Sequence, residues 1–200
     1  LALHAIGNTY LSSSTPQAAI ESYREALEVI RKIPHASQYV KTILPQLILT
    51  KLKYHQMTDI EDNIRELESV TDKGGNPQDD FHLVYCQAFY RIQTHHLPEA
   101  LNHIQQAKQI SQQHLYPYFH LMIKYLYSCY YTESKEYIQA LTTLDELLSH
   151  TRTTNSYTSL QVQKDRAHIL ALMGKGKEAC EAYEIFNTYK DSLDAMNYIR

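Results

Sequence analysis

One short pattern, written four times, constrains this chain more than any other feature. Pro16-Gln17-Ala18-Ala19-Ile20 is followed by Tyr23 and Ala26, and Leu97-Pro98-Glu99-Ala100-Leu101 by Ile104 and Ala107. Tyr137-Ile138-Gln139-Ala140-Leu141 leads to Leu144 and Leu147, and Gly176-Lys177-Glu178-Ala179-Cys180 to Tyr183 and Phe186. Gaps of three and four residues put each set on one face of a helix. Ala19, Ala100, Ala140 and Ala179 stand 81, 40 and 39 residues apart, so the first interval holds two units with a degenerate copy between them. A period of this size marks a helical repeat, in which one unit cannot bury its apolar face alone and stacks on the next.

Each copy needs a partner helix. In the first unit Gly7 and Tyr10 share a face, ahead of a break at Ser12-Ser13-Ser14. Thr15-Pro16 then supplies an N-cap and a proline at the first helical position. The degenerate copy runs over about residues 38–72, with Thr58-Asp59-Ile60-Glu61 as a capping box and Asn63 or Ile64 in the alanine position. Breaks fall at 71–77, 114–117 and 151–158, and Asn76-Pro77 is placed to cap a helix. The expected fold is all-α, an α-α superhelix of about five hairpins in one domain, 1–200. The repeats cover approximately 1–34, 37–73, 77–114, 116–151 and 155–190, and a final helix extends to residue 200. The stripes Leu141, Leu144, Leu147, Leu148 and Ile60, Ile64, Leu67, Val70 are packing seams. The chain opens on Leu1 in mid-pattern, which predicts a piece of a larger protein.

Composition agrees. Only 5 of 200 residues are Gly, none in a phosphate-cradling GxGxxG or GxxxxGK[ST] motif. Gly174 is expected to end a helix and Gly176 to lie in the turn after it. A net charge of -3 and a pI of about 6.4 carry no basic footprint for nucleic acid. No apolar run approaches a membrane span.

The motifs that carry catalysis are missing. Three cysteines stand far apart with no CxxC pair. Among 11 histidines there is no HExxH, and His95-His96, being adjacent, face different sides of a helix. Cys86 has His82 one turn earlier, a weak hint of a nucleophile and its base. Asp79-Asp80 suit the first turn of a helix better than a pair of catalytic acids. The expectation is a non-enzyme with no catalytic residues, no metal site and no cofactor.

The hairpins resemble the tetratricopeptide repeat. Its small and aromatic first-helix positions fall on Gly7 and Tyr10, with Leu3 where the family carries Trp. Its second-helix positions fall on Ala19, Tyr23 and Ala26, and again on Ala100, Ala107, Ala140, Tyr131, Ala179 and Tyr183 as packing residues. The resemblance implies a ligand face formed by first helices. Carrying the phase over, that face holds His4, Asn8, His55, His82, Tyr85, Phe89, Tyr125, Lys164 and His168, with Tyr85, Phe89 and Tyr125 as an aromatic strip. There are 17 Tyr in the chain and 0 Trp, and seven of the tyrosines lie within 116–137. Tyrosine is a common interface anchor.

A known Lys-Asn clamp of the family for a peptide carboxylate is not reproduced. Its paired positions read His4/Asn8, Ile48/Leu52, Tyr85/Phe89, Tyr125/Cys129 and Lys164/His168. The ending from Ala182 to Leu193, an aromatic-rich helix entering a Lys190-Asp191-Ser192-Leu193 turn, resembles the repeat arrays of bacterial (Bacteroidetes-type) two-component histidine kinases. That implies a periplasmic sensor domain of an inner-membrane protein. The alternative is a cytoplasmic scaffold or the regulatory arm of a transcriptional regulator. Either way the implied partner is a protein, a peptide or a second copy of the chain.

Overall fold

The computed structural model describes residues 15–114, 116–151 and 157–198. His4, Gly7, Asn8 and Tyr10 lie outside the described residues. All regular structure among those described is helical: α1 (Pro16–Ile30), α2 (Ser37–Lys53), α3 (Ile60–Val70), α4 (Pro77–Gln93), α5 (Leu97–Gln113), α6 (Pro117–Glu133), α7 (Tyr137–Thr151), α8 (Tyr157–Leu172) and α9 (Gly176–Tyr198). The chain divides into two compact units, Leu1–Tyr116 and Pro117–Arg200, at the sequence break around 114–117.

In the first unit α2 packs with α1, α3 and α4, and α4 with α5. The second helices of the pairs are amphipathic. Helix α1 buries Ala19, Ile20, Tyr23, Ala26 and Leu27, and α5 buries Ala100, Ile104 and Ala107. The small residues let backbones approach, and the larger ones fill the space beside them. Burial pushes the Tyr23 phenol up to about 12, which keeps it neutral. First helices have neighbours on more than one side. So α2 buries Ile43, Leu44, Leu47, Ile48 and Leu52, and α4 buries Phe81, Leu83, Tyr85, Cys86, Ala88, Phe89 and Ile92. A helix apolar nearly all round belongs inside.

In the second unit α7 lies against α6 and α8, and α9 against α8. Ala140, Leu144 and Leu147 of α7 meet Val162 and Ile169 of α8, with Tyr125, Tyr131, Leu141 and Leu148 packed around them. Ala167 and Leu170, on another side of α8, meet Ala179 and Ala182 of α9, with Tyr183 alongside. Helix α8 is thus clasped from two sides, and only a narrow strip of it meets solvent.

The turn inside each pair is the same device four times over. His55, His95, Lys135 and Gly174 adopt left-handed φ values of 55°, 60°, 63° and 73°. Each N–H donates to the carbonyl three residues back, and the next N–H reaches five back: Gln56 to Lys51 (2.9 Å), His96 to Arg91 (2.9 Å), Glu136 to Tyr131 (2.8 Å) and Lys175 to Leu170 (3.0 Å). That is a Schellman cap, repeated at steps of 40, 40 and 39 residues. Three of the four left-handed positions carry a side chain, which accounts for a turn-bearing chain so poor in glycine. Left-handed backbone costs a non-glycine residue about 1–2 kcal/mol. Exposed Lys135 is therefore a position where Lys135→Gly is expected to raise stability by up to about 1 kcal/mol, read as a higher midpoint in chemical denaturation.

The degenerate copy departs at this turn. After His55 the second helix starts five residues later, at Ile60, whereas α5, α7 and α9 start two residues after theirs. The insertion is Met57-Thr58-Asp59, and α3 is correspondingly short at 11 residues. The alanine position is thereby occupied by Asn63, half-buried, with Ile64 and Leu67 buried beside it.

Several local expectations need correction. Thr58-Asp59-Ile60-Glu61 does not form a capping box: Asp59 is left-handed (φ 58°) and its side chain caps nothing. Its carboxylate instead lies 3.9 Å from Arg24. Thr15 is the N-cap residue of α1 but makes no side-chain capping bond, whereas Asn76 accepts from the Gln78 N–H at 3.0 Å. His95-His96 sit in the α4–α5 turn, because the left-handed cap ends α4 before them. Lys190-Asp191-Ser192-Leu193 is not a turn. It continues α9, one helix of 23 residues, since no glycine or proline interrupts it and Ser192 bonds back to the Thr188 carbonyl.

Candidate functional site

In the second unit the strip of first helices left open by packing carries the predicted residues together. Tyr125 on α6 is half-buried, and its hydroxyl donates to Asp165 Oδ2 on α8 at 2.7 Å. Gln161 Nε2 donates to the other carboxylate oxygen at 2.8 Å. Lys164 and His168 are exposed beside this pair. Along α6, steps of four, three and four place Tyr118, Met122, Tyr125 and Cys129 on one face, and Tyr118 is 60% exposed. Along α8 the matching face holds Gln161, Asp165, His168 and Leu172, with Leu172 also exposed. Cross-helix ion pairs, Lys124–Glu146 at 2.6 Å and Arg166–Asp145 at 2.8 Å, lie near the same helices. Sequence reasoning missed Tyr118, Gln161 and Asp165. The helical step from Tyr125 back to Tyr118, and from His168 back to Asp165 and Gln161, was the signal that would have found them.

The remaining tyrosines of α6 stack on one another. Tyr127 and Tyr131 are nearly parallel with centroids 5.9 Å apart, and Tyr130 meets Tyr131 edge-on at 5.9 Å. Burial, with Tyr131 next to it, pushes the Tyr127 phenol upward.

The first unit treats its predicted residues differently. Tyr85 and Phe89 are 4% and 2% exposed and lie in the core, so the aromatic strip does not form. The reason is that α4 packs on more than one side, and Tyr85 sits against the Phe81 ring at 5.9 Å. His82 is half-buried, and burial lowers its imidazole pKa against the opposing pull of Asp79. Cys86 is fully buried, and burial pushes its thiol up. A thiol held protonated beside a histidine held neutral is no activated nucleophile. His55 is exposed in its turn, with Nδ1 3.1 Å from Gln93 Oε1 of the following pair.

A second polar feature of this unit was not foreseen. Arg24, Glu28 and Arg31 on α1, Lys51 on α2, and Asp59 and Asn63 around the start of α3 line a cavity of about 210 Å³ floored by Leu27 and Leu47. Lys51 is 1% exposed, and its ammonium donates to the Thr58 carbonyl in the inserted loop.

Solved structures supply the comparison. The chain superposes on a Rap protein complexed with competence and sporulation factor with a TM-score of 0.74 at 17% identity. The match covers 98% of this chain and 55% of that one. The fold is a tetratricopeptide-like helical repeat. The crystal structure of a Podosopora anserina putative kinesin light chain with nearly identical TPR-like repeats matches at a TM-score of 0.52 and 14% identity, covering 96% of this chain and 94% of that one. The chain spans about half the length of the Rap protein it matches. No protein-family model and no curated sequence matches it. No described helix is long and apolar enough to cross a membrane.

Proposed function

We propose that this tetratricopeptide-like chain is a non-catalytic module that binds a protein or peptide segment on the strip formed by α6 and α8. The Tyr125–Asp165 hydrogen bond carries the reading. It ties two adjacent first helices into one rigid polar surface, with a cation at Lys164, an imidazole at His168 and an exposed aromatic at Tyr118. Such a surface offers charge-assisted bonds and an aromatic anchor to an extended partner. The Rap protein, matched over nearly the whole of this chain, was solved with a bound factor, which supports a partner-binding role. In its fuller form, the module is the sensor region of a bacterial signalling protein, in the first instance the extracytoplasmic part of a two-component histidine kinase.

Selection of peptides from a random library on the immobilised chain tests the surface. The double variant Lys164→Glu/His168→Glu is expected to weaken selected peptides by about tenfold or more, with helicity by circular dichroism unchanged. Peptides that bind both proteins equally would place the site elsewhere. The kinase reading is tested by the reading frame beyond Arg200. A membrane span followed by a kinase module is expected, and a helix-turn-helix module there would replace it with the transcriptional-regulator reading.

A further inference from the structure

Departures from the repeat rule converge on one place in the first unit. Asn63 occupies the position that Ala19, Ala100, Ala140 and Ala179 fill in the other second helices. The three inserted residues precede it. Lys51, a wholly buried lysine, closes the same cavity from α2. A sequence that obeys its own packing pattern elsewhere and breaks it at one cavity is following a local demand other than packing.

The chemistry of the walls says what that demand is. Three cations, Arg24, Arg31 and Lys51, face two carboxylates, Glu28 and Asp59. Arg31 is engaged through its guanidinium with Glu66. Arg24 is not held in this way. Asp59, its ion-pair partner, stands 3.9 Å off, beyond hydrogen-bond distance. Of the three N–H bonds of the Lys51 ammonium, one goes to Thr58. Burial, and Arg24 close by, lower the Lys51 pKa against the pull of Asp59, so the ammonium lacks compensating negative charge. Donors and positive charge are in surplus, and the missing component is a group that only accepts and is negative. A cavity of about 210 Å³ has room for a small molecule carrying such a group.

We infer that the cavity between α1, α2 and α3 is a binding site for a small oxyanion, a carboxylate or a phosphate, held by Arg24, Lys51 and the Asn63 amide. This site is separate from the protein-binding strip and does not depend on it. Lys51 also tethers the inserted loop, a purely structural task, so the test spares it. Thermal melts and isothermal titration calorimetry would use inorganic phosphate in one arm and succinate in the other, each against sodium chloride at equal ionic strength. A saturable rise in Tm with either probe is expected, and the arm that gives it names the class of anion. Asn63→Ala, which restores the repeat residue, is expected to keep the ligand-free Tm or raise it while shifting the binding midpoint about tenfold upward. Arg24→Gln should shift the midpoint in the same direction. Absence of a saturable rise with both probes would overturn the inference, as would a rise that both variants retain in full.

Discussion

Phe89→Ala is expected to lower the stability of this chain by about 3–5 kcal/mol. The benzyl group is 2% exposed on a helix that also buries Phe81, Tyr85 and Ile92, so its removal leaves an apolar void with few means of collapse. Lys164→Ala, at a position once aligned with the same ligand face, should change stability by less than about 0.5 kcal/mol, since that side chain stands in solvent. Urea titration followed by circular dichroism measures both. Near-equal effects would contradict the division between a sealed face in the first unit and an open one in the second.

Ala140→Trp is the second large effect. Ala140 is 0% exposed and sits in the cluster with Leu144, Leu147, Val162 and Ile169. An indole there has no space and must push α7 away from its neighbours, at about 1–3 kcal/mol. For a chain of this size that is on the order of 2–4 °C in Tm per kcal/mol. Ala→Trp at an exposed position, such as Ala171 on α8, provides the control. A Tm unmoved by Ala140→Trp would mean that the repeat phase assigned to α7 is off by at least one residue.

The helices were legible because their cause is local. Alanine-centred stripes at three- and four-residue spacing can be satisfied only on a helix face, and their 40-residue recurrence fixed the phase at Ala100, Ala140 and Ala179. The ligand face was less legible, because exposure depends on what packs across from a residue. Tyr85 and Phe89 hold the same repeat position as Lys164 and His168. The difference was written in the composition of the position itself: Ile48 and Leu52, one repeat earlier, are apolar too, and consecutive apolar occupants signal a buried seam. The Asp59 cap failed for another reason. A capping box is recognised by four residue types, and the three-residue insertion put Asp59 in a left-handed conformation that the types alone do not reveal. The cavity at Lys51 was illegible, since it joins side chains from α1, α2 and α3 that no short motif spans.

The inserted residues before α3 have a consequence for how such a chain can change. They lengthen one loop, the helix after it is shorter, and the next left-handed cap still falls 40 residues from the last. Material is exchanged inside a single unit, and every unit downstream keeps its phase. Heritable novelty can therefore be confined to one compartment of the array, where a cavity with its own chemistry can arise while neighbouring seams go on fitting as before.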